Sequence, residues 1–151
     1  MKLKSLKVTF IVDIHTQCIV GVHITVTRKH DTQIILCLVK RVKGRAEIKV
    51  LITDKGYDSA EIRRELRRFG IRPIIKHRVF SHLDKAHNAR LDKKLCGQRS
   101  KNETVNSSVK RKYGEHVYSR KWWNQFKEIY MMAVLHNVER KMIVIYVRIS
   151  T

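Results

Sequence analysis

QRSKNETVNSSVKRKY, residues Gln98–Tyr113, has the period of a helix. Val105, Val109 and Tyr113 recur every four residues and form one apolar stripe. Arg99, Glu103 and Lys110 stand at i, i+4 and i+11 on a polar stripe, with Asn106 and Ser107 filling the interval. The spacing predicts a helix that packs by one edge and presents one carboxylate flanked by cations on the other. Acids are scarce in this chain, 13 Asp+Glu against 33 Lys+Arg, so the position of each is informative. A plainer explanation competes for Glu103. Ser100 followed three residues later by Glu103 is a capping box, in which the Glu bonds back to the N-cap amide.

A chain of 151 residues amounts to one domain and can bury a core. Its hydrophobic fraction of 43% excludes a disordered chain. A net charge of +20 exceeds what solubility requires and implies a polyanionic partner, most often nucleic acid. A membrane surface fits less well, because the cations are spread along the chain and no lipidation signal is visible. Asp13 interrupts the only start that resembles a signal peptide, and Met142–Val147 is too short to span a bilayer. Cys18, Cys37 and Cys96 are odd in number, with no C-x-x-C, which predicts reduced thiols in a cytoplasmic protein.

Working outward, Leu6–Ile14 alternates Leu6, Val8, Phe10, Val12 and Ile14 on one face, and Asp13 falls near its carboxyl end. Asp13 also suits a simple strand-end turn. Cys18–Thr27 is a second strand, and the short polar link predicts an antiparallel hairpin. A helix over about Gln33–Val42 follows, capped by Asp31 or Thr32, although the run ILCLV also suits a strand. Glu47–Thr53 is a strand with Ile48, Val50 and Ile52 on one face and Asp54 continuing it. Lys55-Gly56-Tyr57 is then a turn in which Gly56 makes positive φ easy. Asp58–Phe69 reads as a helix, with an acidic capping box from Asp58 and Glu61, a buried stripe of Ile62, Leu66 and Phe69, and a stop at Gly70. Ile71–Lys76 is a short strand whose Pro73 argues for a sheet edge.

His77–Gly97 is polar, basic and weakly periodic. It reads as a mobile insertion carrying Lys76, Arg78, Lys85, Arg90, Lys93 and Lys94, with His82 and His87 as loop residues. Ser119–Asn137 is a last long helix with Trp122, Phe126, Ile129, Tyr130, Ala133 and Val134 on its apolar face. Trp122 and Trp123 cannot both point inward: core packing accounts for one, and core or rim packing is expected of the other, with stacking on a base or covering a partner surface as the alternatives. The tail, Val138–Thr151, suits either a strand or further helical turns. No repeats or low-complexity segments interrupt this single α/β domain.

Asp13 and Asp54 each close a hydrophobic strand. If the helix between them is a right-handed crossover, the two strands can be parallel neighbours ~4.8 Å apart. Two carboxylates at matching ends repel unless a cation sits between them. A divalent metal with oxygen ligands resolves this, and a helix over the sheet edge can bring Glu103 as a third ligand. In so basic a protein, that cluster points to metal-assisted attack on phosphodiesters.

Asp54-Lys55-Gly56-Tyr57-Asp58 resembles the DxGYD signature of insertion-sequence DDE transposases. Arg99, three residues, Glu103, six residues, Lys110 is similar to the R-(3)-E-(6)-K part of their third-acid signature. Val12-Asp13 at a strand end and His30-Asp31 also resemble that group, specifically the insertion-sequence four/five superfamily, over about Lys7 to Asn137. The resemblance implies an RNase H-like mixed sheet with flanking helices in a single domain spanning 1–151. It implies Asp13, Asp54 and Glu103 as the catalytic, metal-binding triad for Mg²⁺ or Mn²⁺, with two ions. Water then attacks at the transposon end, and the freed 3′ hydroxyl attacks target DNA. Arg99, Lys110, Lys101 and Arg111 are the expected DNA contacts, and Gly56 and Tyr57 support the Asp54 turn. Partners implied are DNA, as transposon ends and target, and a second copy in a homodimer, at the nucleoid. Cys96 stands where the family has Tyr, three residues before Arg99. The usual N-terminal DNA-binding region is expected to be absent, as in a truncated copy or one half of a split frame with a separate N-terminal partner chain. Two other readings stay open: a non-enzymatic remnant that binds nucleic acid, and an RNase H-like nuclease without strand transfer.

Overall fold

The β-branched runs near the amino end pair antiparallel as a hairpin, from Lys7↔Thr25 to Val12↔Ile19. In chain order the elements are β1 (Lys7–Val12), β2 (Ile19–Thr25), α1 (Asp31–Lys43), β3 (Val50–Thr53), a 3-10 turn (Lys55–Tyr57), α2 (Ala60–Arg68), β4 (Arg72–Ile75), α3 (His82–Arg90), α4 (Lys93–Gly97), α5 (Arg99–Tyr113) and α6 (Trp122–Ile149). This computed structural model describes residues 6–25 and 31–149; Val26, Thr27, His30 and the last two residues of the tail lie outside them. The chain divides into two compact units: of the described residues, 6–25 and 101–149 form the first and 31–100 the second.

In the first unit, α5 and α6 lay apolar stripes over the hairpin. Ile19, Val105, Val109 and Ala133 are buried at its centre, with Phe10, Val12, Val22, Tyr113 and Met132 packed around them. The stripe expected of α5 is therefore the one that packs. Ser100 is the second residue of α5, and its hydroxyl donates to the Gly97 carbonyl at 2.9 Å. It does not take the N-cap position that a capping box with Glu103 requires. Gly114 ends α5 with a φ of 92°, its amide donating to the Lys110 carbonyl at 2.8 Å. Glu139 ties α6 to the end of α5: it pairs with Lys112 and accepts from the Tyr113 hydroxyl at 3.1 Å. α6 runs on through the tail as helix to Ile149.

In the second unit, the ILCLV run is helical. Ile34, Ile35, Leu38, Val39 and Val42 are all buried, a three-and-four spacing that a strand does not produce. β3 is shorter than expected, and its buried residue is Leu51 while Val50 is exposed, so the expected face is reversed. β3 pairs in parallel with β4, Val50↔Arg72 to Thr53↔Ile75, with α2 as the connection. The expected mixed sheet with β1 and β3 as parallel neighbours does not form among the described residues, where β1–β2 and β3–β4 are separate two-stranded sheets. Asp54 caps the 3-10 turn, and Gly56 is not among the glycines at positive φ, which are Gly70 and Gly114 among the described residues. Nor does Asp58 cap α2, whose N-cap is Ser59. Asp58 instead pairs with the Arg63 guanidinium and accepts from the Arg78 amide at 2.9 Å.

The stretch His77–Gly97 is not a loop, because it holds α3 and α4, and His82 and His87 stand in α3. Ser81 and Asp84 form a capping box, the Asp84 carboxylate accepting from the Ser81 amide at 2.9 Å, and Asp92 accepts from the Lys94 and Leu95 amides at 2.9 and 3.1 Å. Neither helix buries a residue, so neither carries an apolar period to read; the S-x-x-D cap at Ser81 was the available signal. Asn88 reaches back to hold both the amide and the carbonyl of His77, at 2.8 and 3.1 Å. His77 and His87 stack with ring centroids 3.8 Å apart.

Bonds from His77, from the Phe80 amide and from Ser81 hold the Asp84 carboxyl well below its ordinary value of 3.8. A carboxylate lowered in the fold contributes stability that is present above its unfolded value and lost as pH falls through the folded value. Amide exchange in α3 is therefore expected to quicken as pH falls from 5 towards 2, relative to intrinsic rates. In Asp84→Asn, exchange should be fast throughout, with little further change over that range. A variant profile that tracks the wild type would show that the carboxylate does not hold the helix start.

Candidate active site

Asp13 follows β1 directly and shapes the hairpin turn. Its amide donates to the Cys18 carbonyl at 2.9 Å, and its own carbonyl accepts from the Gln17 amide at 2.8 Å. Its carboxylate accepts from the His15 amide at 3.2 Å, the Thr16 amide at 3.3 Å and the Thr16 hydroxyl at 2.6 Å. Burial pushes its pKa up, but these hydrogen bonds outweigh burial and hold it below the ordinary 3.8. The turn thus keeps Asp13 ionised while using three of its roughly four lone-pair directions.

The turn is pinned from behind by α6. Asn137 accepts from the Ile19 amide at 2.7 Å and donates to the Ile19 carbonyl at 2.8 Å. His136, only 1% exposed, donates from Nε2 to the carbonyl of Gln17 at 3.0 Å, the residue that takes a φ of 58°. Nothing in the sequence reading singled out Thr16, His136 or Asn137. A signal existed: His136 continues the buried Ile129–Ala133 stripe, and a polar residue on an apolar stripe needs a partner.

Asn137→Leu is expected to leave two backbone groups of Ile19 unmatched, at a cost of about 1–3 kcal/mol each if they stay buried. Hydrogen exchange at the Asp13 and Gln17 amides should quicken by about tenfold or more, while the Thr9–His23 part of the ladder keeps its protection. Unchanged exchange in the turn would show that Asn137 does not brace it.

Asp54, in the second unit, is exposed. Its Oδ1 accepts from the Lys55 amide at 2.7 Å and pairs with the Arg99 guanidinium at 2.8 Å. Arg99, expected on a DNA phosphate, is here the counter-ion of Asp54. Tyr57 supports the turn through its amide, which donates to the Asp54 carbonyl at 3.0 Å. Glu103 is exposed on α5, roughly opposite the buried Val105 and Val109. Lys101, two residues earlier, reaches the Ile14 carbonyl at 3.5 Å, so the start of α5 lies beside the Asp13 turn within the first unit. Lys110 is exposed and 4.0 Å from Glu115, and Arg111 is exposed in the same last turn. Cys96 lies in α4, half-buried.

Three carboxylates make an oxygen donor set that suits a hard divalent ion. They are divided between the units, Asp13 and Glu103 in the first and Asp54 in the second. Among the described residues, no group of three His, Cys, Asp or Glu side chains could hold a metal ion.

The family model of the transposase DDE domain matches residues 2–138, more than half of the chain. The chain belongs to the transposase DDE domain family. No curated protein and no solved structure matches it. Transposases of this family act in DNA transposition and generally use divalent metal ions. No helix among the described residues of this DDE domain is long and apolar enough to cross a membrane.

Proposed function

We propose that the chain is the catalytic core of an insertion-sequence transposase, one RNase H-like functional domain over 1–151. On this reading it cuts DNA at a transposon end and joins the freed 3′ hydroxyl to target DNA. Asp13, Asp54 and Glu103 are the residues that would hold divalent metal, two Mg²⁺ or Mn²⁺ ions, and such ions would supply an activated water and charge for the leaving oxygen. The observation that carries the reading is the Asp13 turn, whose hydrogen bonds keep an acid ionised at the end of β1. The family match and the Lys101–Ile14 contact support it.

The chain's own residues then have separate tasks. Thr16 and the turn amides hold Asp13 charged and oriented. Arg99 steadies Asp54, and Lys110 and Arg111, with Lys101 and Arg99, supply cations for the phosphate backbone. The enzyme acts on DNA as a homodimer at the nucleoid. A second reading has support of its own. Asp13 is a satisfied turn residue and Asp54 caps a 3-10 turn, as in a basic remnant that binds nucleic acid without cutting it.

Incubation with plasmid and an oligonucleotide bearing a 3′ hydroxyl, in Mg²⁺ or Mn²⁺, separates the possibilities. Joined product supports the transposase. Cutting without joining indicates a nuclease. Neither, together with flat Mn²⁺ calorimetry, leaves the remnant.

A further inference from the structure

Trp122 and Trp123 are the chain's two tryptophans, and both are exposed, at 51% and 62%. This overturns the expectation that core packing accounts for one of them. Their rings stack with centroids 3.9 Å apart and planes 26° apart. Phe126 meets Trp122 edge-on at 5.5 Å. The result is a braced aromatic column at the start of α6, and leaving so much ring surface in water is unfavourable.

The surroundings are also held in place. Glu128 accepts from the Tyr118 and Ser119 amides at 2.9 and 3.1 Å, and Gln125 donates to the Ser119 carbonyl at 2.9 Å. The segment leading into α6 is therefore tied to the helix that carries the tryptophans. Arg120, Lys121 and Lys127 are exposed around the pair, and no acid lies between Glu115 and Glu128 in sequence. Glu128 itself is occupied by backbone amides, and the amino end of α6 adds positive potential.

We propose that Trp122 and Trp123 form a stacking platform for an unpaired base of a DNA strand, with Arg120, Lys121 and Lys127 holding the adjacent phosphates. A flat π surface beside cations matches the two chemical parts of a nucleotide. Bases within a duplex offer no free face, so the ligand is a single strand or an opened end. The inference rests on the reading of this chain as a DNA-handling protein, not on its metal chemistry.

Because both tryptophans lie in the platform, intrinsic fluorescence reports on it directly. The full chain is titrated with a short oligothymidylate while the anisotropy of a labelled copy measures binding independently. The expected result is marked quenching that follows the anisotropy curve. Trp123→Ala should weaken binding of this single strand by about tenfold or more, Trp123→Phe should retain most of it, and duplex affinity should change by less than about twofold because that term is set by phosphate contacts. Circular dichroism checks that each variant folds. Binding with unchanged emission, or an unaffected Trp123→Ala, overturns the platform alone. Quenching by anionic vesicles but not by the oligonucleotide assigns the patch to a membrane and overturns it too. Failure to bind either single strands or duplex sinks the DNA reading along with it.

Discussion

Asp13→Asn is expected to lower Mg²⁺-dependent DNA cleavage on the order of a thousandfold while the chain stays folded. Metal-ion catalysis supplies several kcal/mol of barrier lowering, and each 1.36 kcal/mol is a factor of about ten. Asparagine keeps one acceptor oxygen, which serves the Thr16 amide and hydroxyl while the His15 contact is lost, and Asn is itself favoured in such turns, so the hairpin survives. What it loses is the negative charge. Asp54→Asn and Glu103→Gln should match it. The first also weakens the pair with Arg99, which is exposed and worth about 0–1 kcal/mol. Because the three acids would act as one unit, the triple variant should be little slower than any single one. Duplex affinity should not fall in any of them, since removing negative charge from so basic a chain does not weaken phosphate binding. Cleavage at the wild-type rate in Asp13→Asn would remove that residue from the chemistry.

The second large effect concerns folding. Val105 is 0% exposed at the centre of the first unit, where α5 meets Ile19 and Ala133. Val105→Asp places a carboxylate there with no cation designed to meet it. Such a change belongs to the few that cost more than about 4 kcal/mol. Urea unfolding should show the transition collapse, and α5 amides should lose protection together. Glu103→Gln, two residues away on the exposed face, should change the unfolding free energy by less than about 0.5 kcal/mol. The contrast separates the two faces of one helix: one holds the unit together, and the other carries the proposed chemistry. Comparable stability in the two variants would show that the packing stripe has been misassigned.

These two faces were legible from Gln98–Tyr113 alone, because a helix writes its buried side into the sequence every three to four residues. The hairpin was legible from two β-branched runs joined by a short polar link. The helices α3 and α4 were not, because they bury nothing and only their caps announce them. The pairing of β3 with β4 was not read, because a four-residue strand carries too little pattern to name its partner. At the proposed site, Asp13, Asp54 and Glu103 stood out as acids in a basic chain. The side chains that fix the Asp13 turn did not, since Thr16 is commonplace and Asn137 lies 118 residues from the strand it holds.

By itself, then, the sequence determined the charge, the period of each amphipathic element and the positions of the scarce acids. These are local properties, written residue by residue. Only the tertiary structure decided that β3 pairs with β4, that Arg99 sits on Asp54, that α6 braces the Asp13 turn and that both tryptophans remain outside. Each of these depends on contacts between residues distant along the chain, and no local period encodes them.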